Sequence, residues 1–563
     1  MNRFRRGAAA LLAFTVTLAL AACAAIPTSG PVEAGRSPEE DRQQGIFYYP
    51  AGPLDGASQE EIVQGFLDAG TGTQNDFATA REYLAPQLAS TWEPTGRVYV
   101  TDGQAAMRSA ENSTVSVSVQ VSARIDESGN YRESRPTVVE TVDFRLEQIN
   151  GQWRIVEAPD GIVLPRQPFT DLFKSRYLYF FGTHMRYLTP DLRWYLNDAD
   201  ASTAATLGLL DGPSLWLAQG DAVRSAFPPG VELLQPVRVE GGIAIVDFNE
   251  QLSTATPDNL KLIRLQLEKT LLPIVDATTV EVRINGAKLD IALPQAGVIV
   301  ETADVNSSPL VYQDQRMGYL SGGQLTVPAG AENVAVAMAE HTLIRGALSA
   351  SRRTVTFLTD EGTWAMRFDD ANAQLVDSRE GQIEPVLDNW DYVWTQSMTN
   401  PGLYVSEVGG DRQRTIPLPQ PIADDFISFQ VSRDATRLAI LYKSGDRVQL
   451  AVTPIIRDEG TPIALGDPII VDMPSASPND VAWVDPNTIA MLVDMPEGTT
   501  DVRIYRVGGE LTTLGTIKDA VQVAGSNTLA GMRIVDKQGT LYAPRGTGWR
   551  SSDSVVTFLF AQV

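Results

Sequence analysis

The sequence predicts a multidomain protein, with two α+β domains followed by a C-terminal all-β propeller of about six blades. Three observations carry that expectation. The chain has 563 residues, about three to four times the usual domain size. Its apolar residues recur at the helical period up to Trp92 and at a period of two after it. The last 270 residues or so are short strands between turns, and a phrase within them repeats. Hydrophobic residues make up 43% and charged residues 20%, which is ordinary globular composition and excludes both a disordered chain and a polytopic membrane protein.

At the N-terminus Arg3, Arg5 and Arg6 precede an uncharged, mostly apolar run from Gly7 to Ala22. Positive, then apolar, then small is the form of an export signal, and the run is shorter than the ~20 residues a spanning helix needs. Leu20-Ala21-Ala22-Cys23 matches the bacterial lipobox. Small residues give a signal peptidase access to the bond between Ala22 and Cys23. The thiol takes a diacylglyceryl group as a thioether, and the freed α-amine takes a further acyl chain. Cys23 is therefore expected as an N-palmitoyl, S-diacylglycerol cysteine after loss of residues 1–22. It is the single cysteine of the chain, so no internal disulfide and no cysteine zinc site can form. Cleavage removes three arginines and takes the formal charge from −24 to −27. Attraction to anionic phospholipid cannot then hold the protein, whereas acyl chains at about 0.8 kcal/mol per buried methylene can. The same acidity excludes nucleic acid as a partner. Residues 23–45, rich in Pro, Ser, Gly and Glu, read as a lipidated tether.

The first α+β domain is expected over 46–160. Ser58-Gln59-Glu60-Glu61 starts a helix with an N-cap and an acidic first turn, followed by Ile62, Val63, Phe66 and Leu67. A second helix follows Asn75-Asp76, with Phe77, Ala80, Leu84 and Leu88 on one face. Val115, Val117, Val119 and Val121 then alternate with polar residues, as do Val138, Val142, Phe144 and Leu146, and Asn150-Gly151 turns the chain into Trp153–Val156. Helices followed by a long antiparallel meander resemble the NTF2-like or cystatin-like class, whose curved sheet wraps helices.

Residues 161–202, with Pro165, Pro168, Pro190 and Trp194, are expected as a connector that packs between domains, and the run Tyr177–Phe181 as core. Over 203–292 the order is Leu207–Ser214, Ala222–Gly230, a strand Gly242–Phe248, a helix with Leu260, Ile263, Leu267 and Leu271 on one side, then Val280–Gly286. That order resembles the sporulation and germination GerMN domain. Its glycines and prolines are explained as tight turns.

The propeller is expected over 296–563. Leu348-Ser349-Ala350-Ser351 leads to Val355–Leu358 and Gly362, and Val431-Ser432-Arg433-Asp434 leads to Leu438–Leu441 and Gly445. The offset is about twice a blade of roughly 40–45 residues. Related strands at Tyr392–Trp394, Ile489–Leu492, Leu541 and Tyr319 bring the count to about six. The final strand Val555–Phe560 is expected to close the ring against Val298–Val300 or Leu310–Tyr312. The phrase at Ser432–Ala439 is similar to that of TolB-like propellers, with Arg and Ala in place of the usual Pro and Gly.

Catalytic motifs are mostly missing. His184 and His341 are the only histidines and are far apart, none of the seven lysines has a serine three residues before it, and there is no GxSxG or phosphate loop. Asp198 and Asp200 lack the glycine and terminal glutamate of a calcium loop. No metal or cofactor is expected. Carboxylates such as Asp369-Asp370 and Asp424-Asp425 are the remaining reservoir for a glycosidase pair.

Taken together, the lipobox, the α+β domain, the GerMN-like domain and the propeller resemble the actinobacterial LpqB family of lipoproteins. The resemblance implies a non-catalytic protein on the extracytoplasmic face of the cell membrane, an accessory of the Mtr two-component system. It would contact the extracellular domain of the sensor histidine kinase and affect cell-envelope and division homeostasis. Two alternatives stay open: an envelope glycan hydrolase using propeller carboxylates, and a passive lipoprotein that binds peptidoglycan or another ligand.

Overall fold

Ser58 caps the first helix, α1 (Gln59–Ala69), in a reciprocal capping box with Glu61, and the helix buries Ile62, Val63, Phe66 and Leu67. The computed structural model describes residues 48–295, 304–349, 353–422, 425–473, 477–546 and 548–563. The lipobox Leu20, Ala21, Ala22 and Cys23, the tether and Val298–Val300 lie outside the described residues.

The expected second helix is divided. α2 (Gln74–Arg81) stops, and α3 (Pro86–Thr91) begins after an extended Ala85. Pro86 biases the residue before it away from helix. The freed backbone pairs with the sheet instead, Ala85 N donating to Ile155 O at 2.8 Å and Ile155 N to Tyr83 O at 3.0 Å. Phe77, Ala80 and Leu84 still reach the core.

The sheet of this domain contains β1 (Arg97–Thr101), β2 (Ala106–Ala110), β3 (Thr114–Asp126), β4 (Tyr131–Ile149), β5 (Gln152–Glu157) and β6 (Ile162–Pro165), in the order β5-β4-β3-β1-β6 with β2 against β3. Val115, Val117, Val119 and Val121 are buried, while Val138, opposite Val121, is exposed. Alternation fixes which face a residue occupies, not what covers it. Asn150 and Gly151, both at positive φ, make the predicted turn.

Residues 161–202 do not form a separate connector. β6 pairs in parallel with β1, and α4 (Arg166–Leu172) sends Phe169 and Leu172 into the first core. The hairpin β7 (Phe173–Gly182) and β8 (Leu188–Leu196) supplies Leu178, Phe180, Phe181 and Leu188 to the second core. The aromatic run is thus core, as its composition predicts. The second domain adds α5 (Ala201–Asp211) and α6 (Pro257–Leu271), the latter capped by Thr256 and crossing between the parallel strands Ile243–Phe248 and Thr279–Ile284.

Among the described residues six blades follow: 310–326 with 558–562 and 345–377, joined in one eight-stranded sheet, then 386–416, 426–473, 477–518 and 520–555. Phe558–Gln562 pairs antiparallel with Leu310–Gln313 and in parallel with Arg345–Leu348. The first blade is therefore built from both ends of the propeller, the Leu310–Tyr312 option. Val555 instead ends the outer strand of the sixth blade. The repeated phrase has a local cause: Ser349 Oγ accepts from Thr354 N at 3.3 Å, and Ser432 Oγ accepts from Arg437 N at 3.0 Å. In both the second and the fourth blades a serine just after the first strand accepts from the amide that opens the second.

Candidate functional site

The sequence offers the lipobox as a site and the carboxylates as a remaining reservoir, and sets the two histidines aside as too far apart for a zinc site. Cys23 and its lipobox are outside the described residues. The His184 ring packs on Trp390, with centroids 4.7 Å apart, and the His341 ring on Trp364 at 4.5 Å. Among the described residues no cluster of three His, Cys, Asp or Glu could hold a metal ion. Asp370 accepts from Arg367 N at 2.7 Å in a turn, and Asp369 and Asp425 are exposed. Asp424 is outside the described residues.

The buried carboxylates of the propeller serve its architecture. Asp388 takes Arg457 Nη2 at 2.7 Å, Trp394 Nε1 at 3.0 Å and two backbone amides. Asp377 takes Arg379 and Thr395, and Asp434 takes Arg437 and Thr436.

One carboxylate pair differs, and it lies among the innermost strands. Asp480 accepts from Ser428 Oγ at 2.8 Å and from Val523 N at 2.8 Å. Glu384 accepts from Gln522 Nε2 at 3.1 Å, with Arg345 Nε 3.4 Å away. Gln522 also donates to Leu559 O and accepts from Leu559 N. Arg345, Glu384, Ser428, Asp480, Gln522 and Leu559 come one from each blade, Glu384 from just before its inner strand. Burial, and then the charge of Asp480, push the Glu384 carboxyl up to about 8; burial pushes Asp480 up to about 6. Sequence reading missed this ring because no two members are neighbours. Its only signal is the blade period, Ser428 and Asp480 standing 52 residues apart and Gln522 and Leu559 37.

A second convergence joins the three domains. On β8, Asp191 Oδ2 accepts from Arg193 and from Ser214 N, while Arg193 Nη1 donates to Ser128 O at 2.6 Å and Nη2 to Gly212 O at 3.3 Å. Trp194 N donates to Gly129 O at 2.8 Å, and its indole Nε1 to Gly508 O of the propeller at 3.1 Å. Trp194 also stacks with Tyr131 and Phe169, each at 5.2 Å. The propeller loop carrying Gly508 is further held by Arg135 on Leu511 O and by Arg166 on Glu510. Three residues of one strand, Asp191, Arg193 and Trp194, thus bond the first domain, the second domain and the propeller. Domains of one chain move relative to each other by default; these contacts oppose that motion.

Chemically, burial favours the neutral form of the Glu384 and Asp480 carboxyls, and the β8 junction ties three surfaces together. Among the described residues no helix is long and apolar enough to cross a membrane.

Comparison with known proteins places these regions. Residues 52–170 match the N-terminal domain of lipoprotein LpqB, 323–557 the lipoprotein LpqB β-propeller domain, and 177–290 the sporulation and spore germination family. The last match begins within β7, where the second core begins. The chain is 26% identical to lipoprotein LpqB of Thermobifida fusca over 92% of each chain. It is 25% identical to lipoprotein LpqB of Cutibacterium acnes over 88% of each. Among solved structures, it is similar to the first GerMN domain of the sporulation protein GerM from Bacillus subtilis, with 19% identity, a TM-score of 0.17, and coverage of 23% of this chain and 94% of that one.

Proposed function

The chain belongs to the LpqB lipoprotein family, and from that membership we propose that it is a non-catalytic, extracytoplasmic lipoprotein held at the cell membrane by Cys23. In this reading it modulates a two-component sensor kinase of the Mtr type, and through it envelope and division homeostasis, by contact with the kinase's extracellular domain.

The observation that carries the reading is the β8 junction. Asp191, Arg193 and Trp194 tie two small domains to a propeller loop through buried bonds, so a partner meets one body with fixed surfaces. A lipid anchor raises the effective concentration of such a body near membrane receptors. Contact that favours one state of a sensor then biases its equilibrium. The engagement of Asp377, Asp388 and Asp434 by arginines supports the non-catalytic part.

Crosslinking in intact cells, with mass spectrometry of the captured proteins, tests this directly. Recovery of a sensor kinase extracellular domain is the expected result. Recovery of wall glycan alone would favour passive binding instead. The raised carboxyl of Glu384 favours one other reading, a glycan hydrolase. That reading requires wall-glycan turnover by the purified protein, lost in Glu384→Gln.

A further inference from the structure

Between the first domain and α5 of the second lies a cleft of about 310 Å³, at the small end of the range for ligand sites, which favour domain interfaces. Part of its wall is apolar, including Phe173, Trp194 and Leu207. Leu207 is 46% exposed, whereas Leu209 of the same helix is completely buried and Leu210 half-buried. Five carboxylates also line the cleft, those of Asp126, Glu127, Asp198, Asp200 and Asp211, and no Lys or Arg does. None of the five is in an ion pair among the salt bridges of the described residues. Arg193 lies nearby, but its guanidinium is engaged by Asp191, Ser128 O and Gly212 O.

An acidic surface is ordinary in a chain of charge −24, so the carboxylates alone mean little. Two further features set this place apart. The Tyr195 hydroxyl, which is buried and has no hydrogen-bond partner, belongs to the lining. It stands where a side chain on Gly208 would be, 2.4 Å from the position of a Cβ there, so the glycine leaves room for it. A buried hydroxyl left without a partner is costly, which marks this part of the lining as unfinished. Burial also raises the Asp198 carboxyl, the sign of a carboxylate short of water and of a counter-charge.

The chemistry of the lining selects the occupant. A metal ion needs several carboxylates converging on one point, and no such group exists among the described residues. An apolar wall beside dispersed carboxylates suits a side chain with a long apolar stem and a cationic head. We infer that the cleft docks an arginine or lysine side chain carried on an extended segment of a partner protein. Its stem lies against Phe173, Trp194 and Leu207, and its head among Asp198, Asp200 and Asp211. The inference does not depend on the partner being a sensor kinase.

The test uses the full chain in a non-ionic detergent, titrated calorimetrically at physiological ionic strength with a capped hexapeptide of alternating Leu and Arg. One saturable site is expected. Asp198→Asn with Asp211→Asn, which keeps side-chain shape and the Asp200 amide's acceptor, should weaken it about tenfold, and Leu207→Ser should weaken it about threefold. The exposed pair Asp369→Asn with Asp553→Asn is the control and should leave affinity unchanged. Thermal melts of each variant establish that it is folded. Absence of saturable binding to the unmodified chain overturns the inference. So does an equal loss in the control pair, which would mean diffuse attraction to an acidic protein.

Discussion

Arg193 donates through both Nε, at 3.0 Å, and Nη2, at 2.7 Å, to a single oxygen of Asp191, and both side chains are almost fully buried. Its remaining bonds leave β8 for Ser128 O and Gly212 O. One ion pair thereby positions the cation that joins the first domain to the second. Asp191→Ala leaves that cation buried and unpaired, and should destabilise the protein by about 3–5 kcal/mol. Urea unfolding measures it. Substituting both members with apolar residues, Asp191→Leu with Arg193→Met, should cost less than Asp191→Ala alone.

Closure of the propeller depends on Gly346. A Cβ at this position would lie 2.2 Å from the Phe560 ring, across the parallel pairing of the first and second blades. Gly346→Ala should destabilise by about 1–3 kcal/mol through overpacking. Phe560→Ala should cost about 3–5 kcal/mol through the cavity it opens. In a double-mutant cycle the two should be markedly non-additive, because the new methyl occupies part of the space the ring vacates. Additive losses would mean that the two blades do not meet there in solution.

The axial pair predicts a pH dependence of stability. Folding raises both carboxyls, Glu384 to about 8 and Asp480 to about 6. The folded state therefore binds more protons than the unfolded state, whose carboxyls titrate near 4. With more protons bound in the folded state, stability falls as pH rises. The contribution is complete below about pH 4 and is lost progressively up to about pH 8. Glu384→Gln should flatten that slope relative to the unmodified protein, read as the difference in melting temperature across the range. A variant with an unchanged slope would show that Glu384 is already ionised in the fold.

Anchoring is tested by Cys23→Ser. Without a thiol there is no thioether, and a formal net charge of −24 repels anionic lipid. The variant should leave the membrane fraction on cell fractionation. Retention there would contradict a lipid anchor at this position.

What the sequence determined by itself was whatever is written locally. The Ser58 capping box, the Asn150-Gly151 turn and the repeated phrase around Ser349 and Ser432 each involve residues a few positions apart. Their spacing therefore predicts them. The lipobox is an expectation of the same local kind, written in a linear segment outside the described residues. Even the break before Pro86 has a local cause, although the partner that receives the freed backbone, Ile155, does not. Only the tertiary structure decided the β8 junction, where Arg193 bonds a carbonyl 65 residues away and Trp194 one 314 residues away. It alone decided the axial ring, assembled one residue per blade, and the acid-rimmed cleft. The physical reason is the same in each case. A hydrogen bond or a counter-charge depends on distance in space, and the turns that bring such distant residues together leave no mark on the residues themselves.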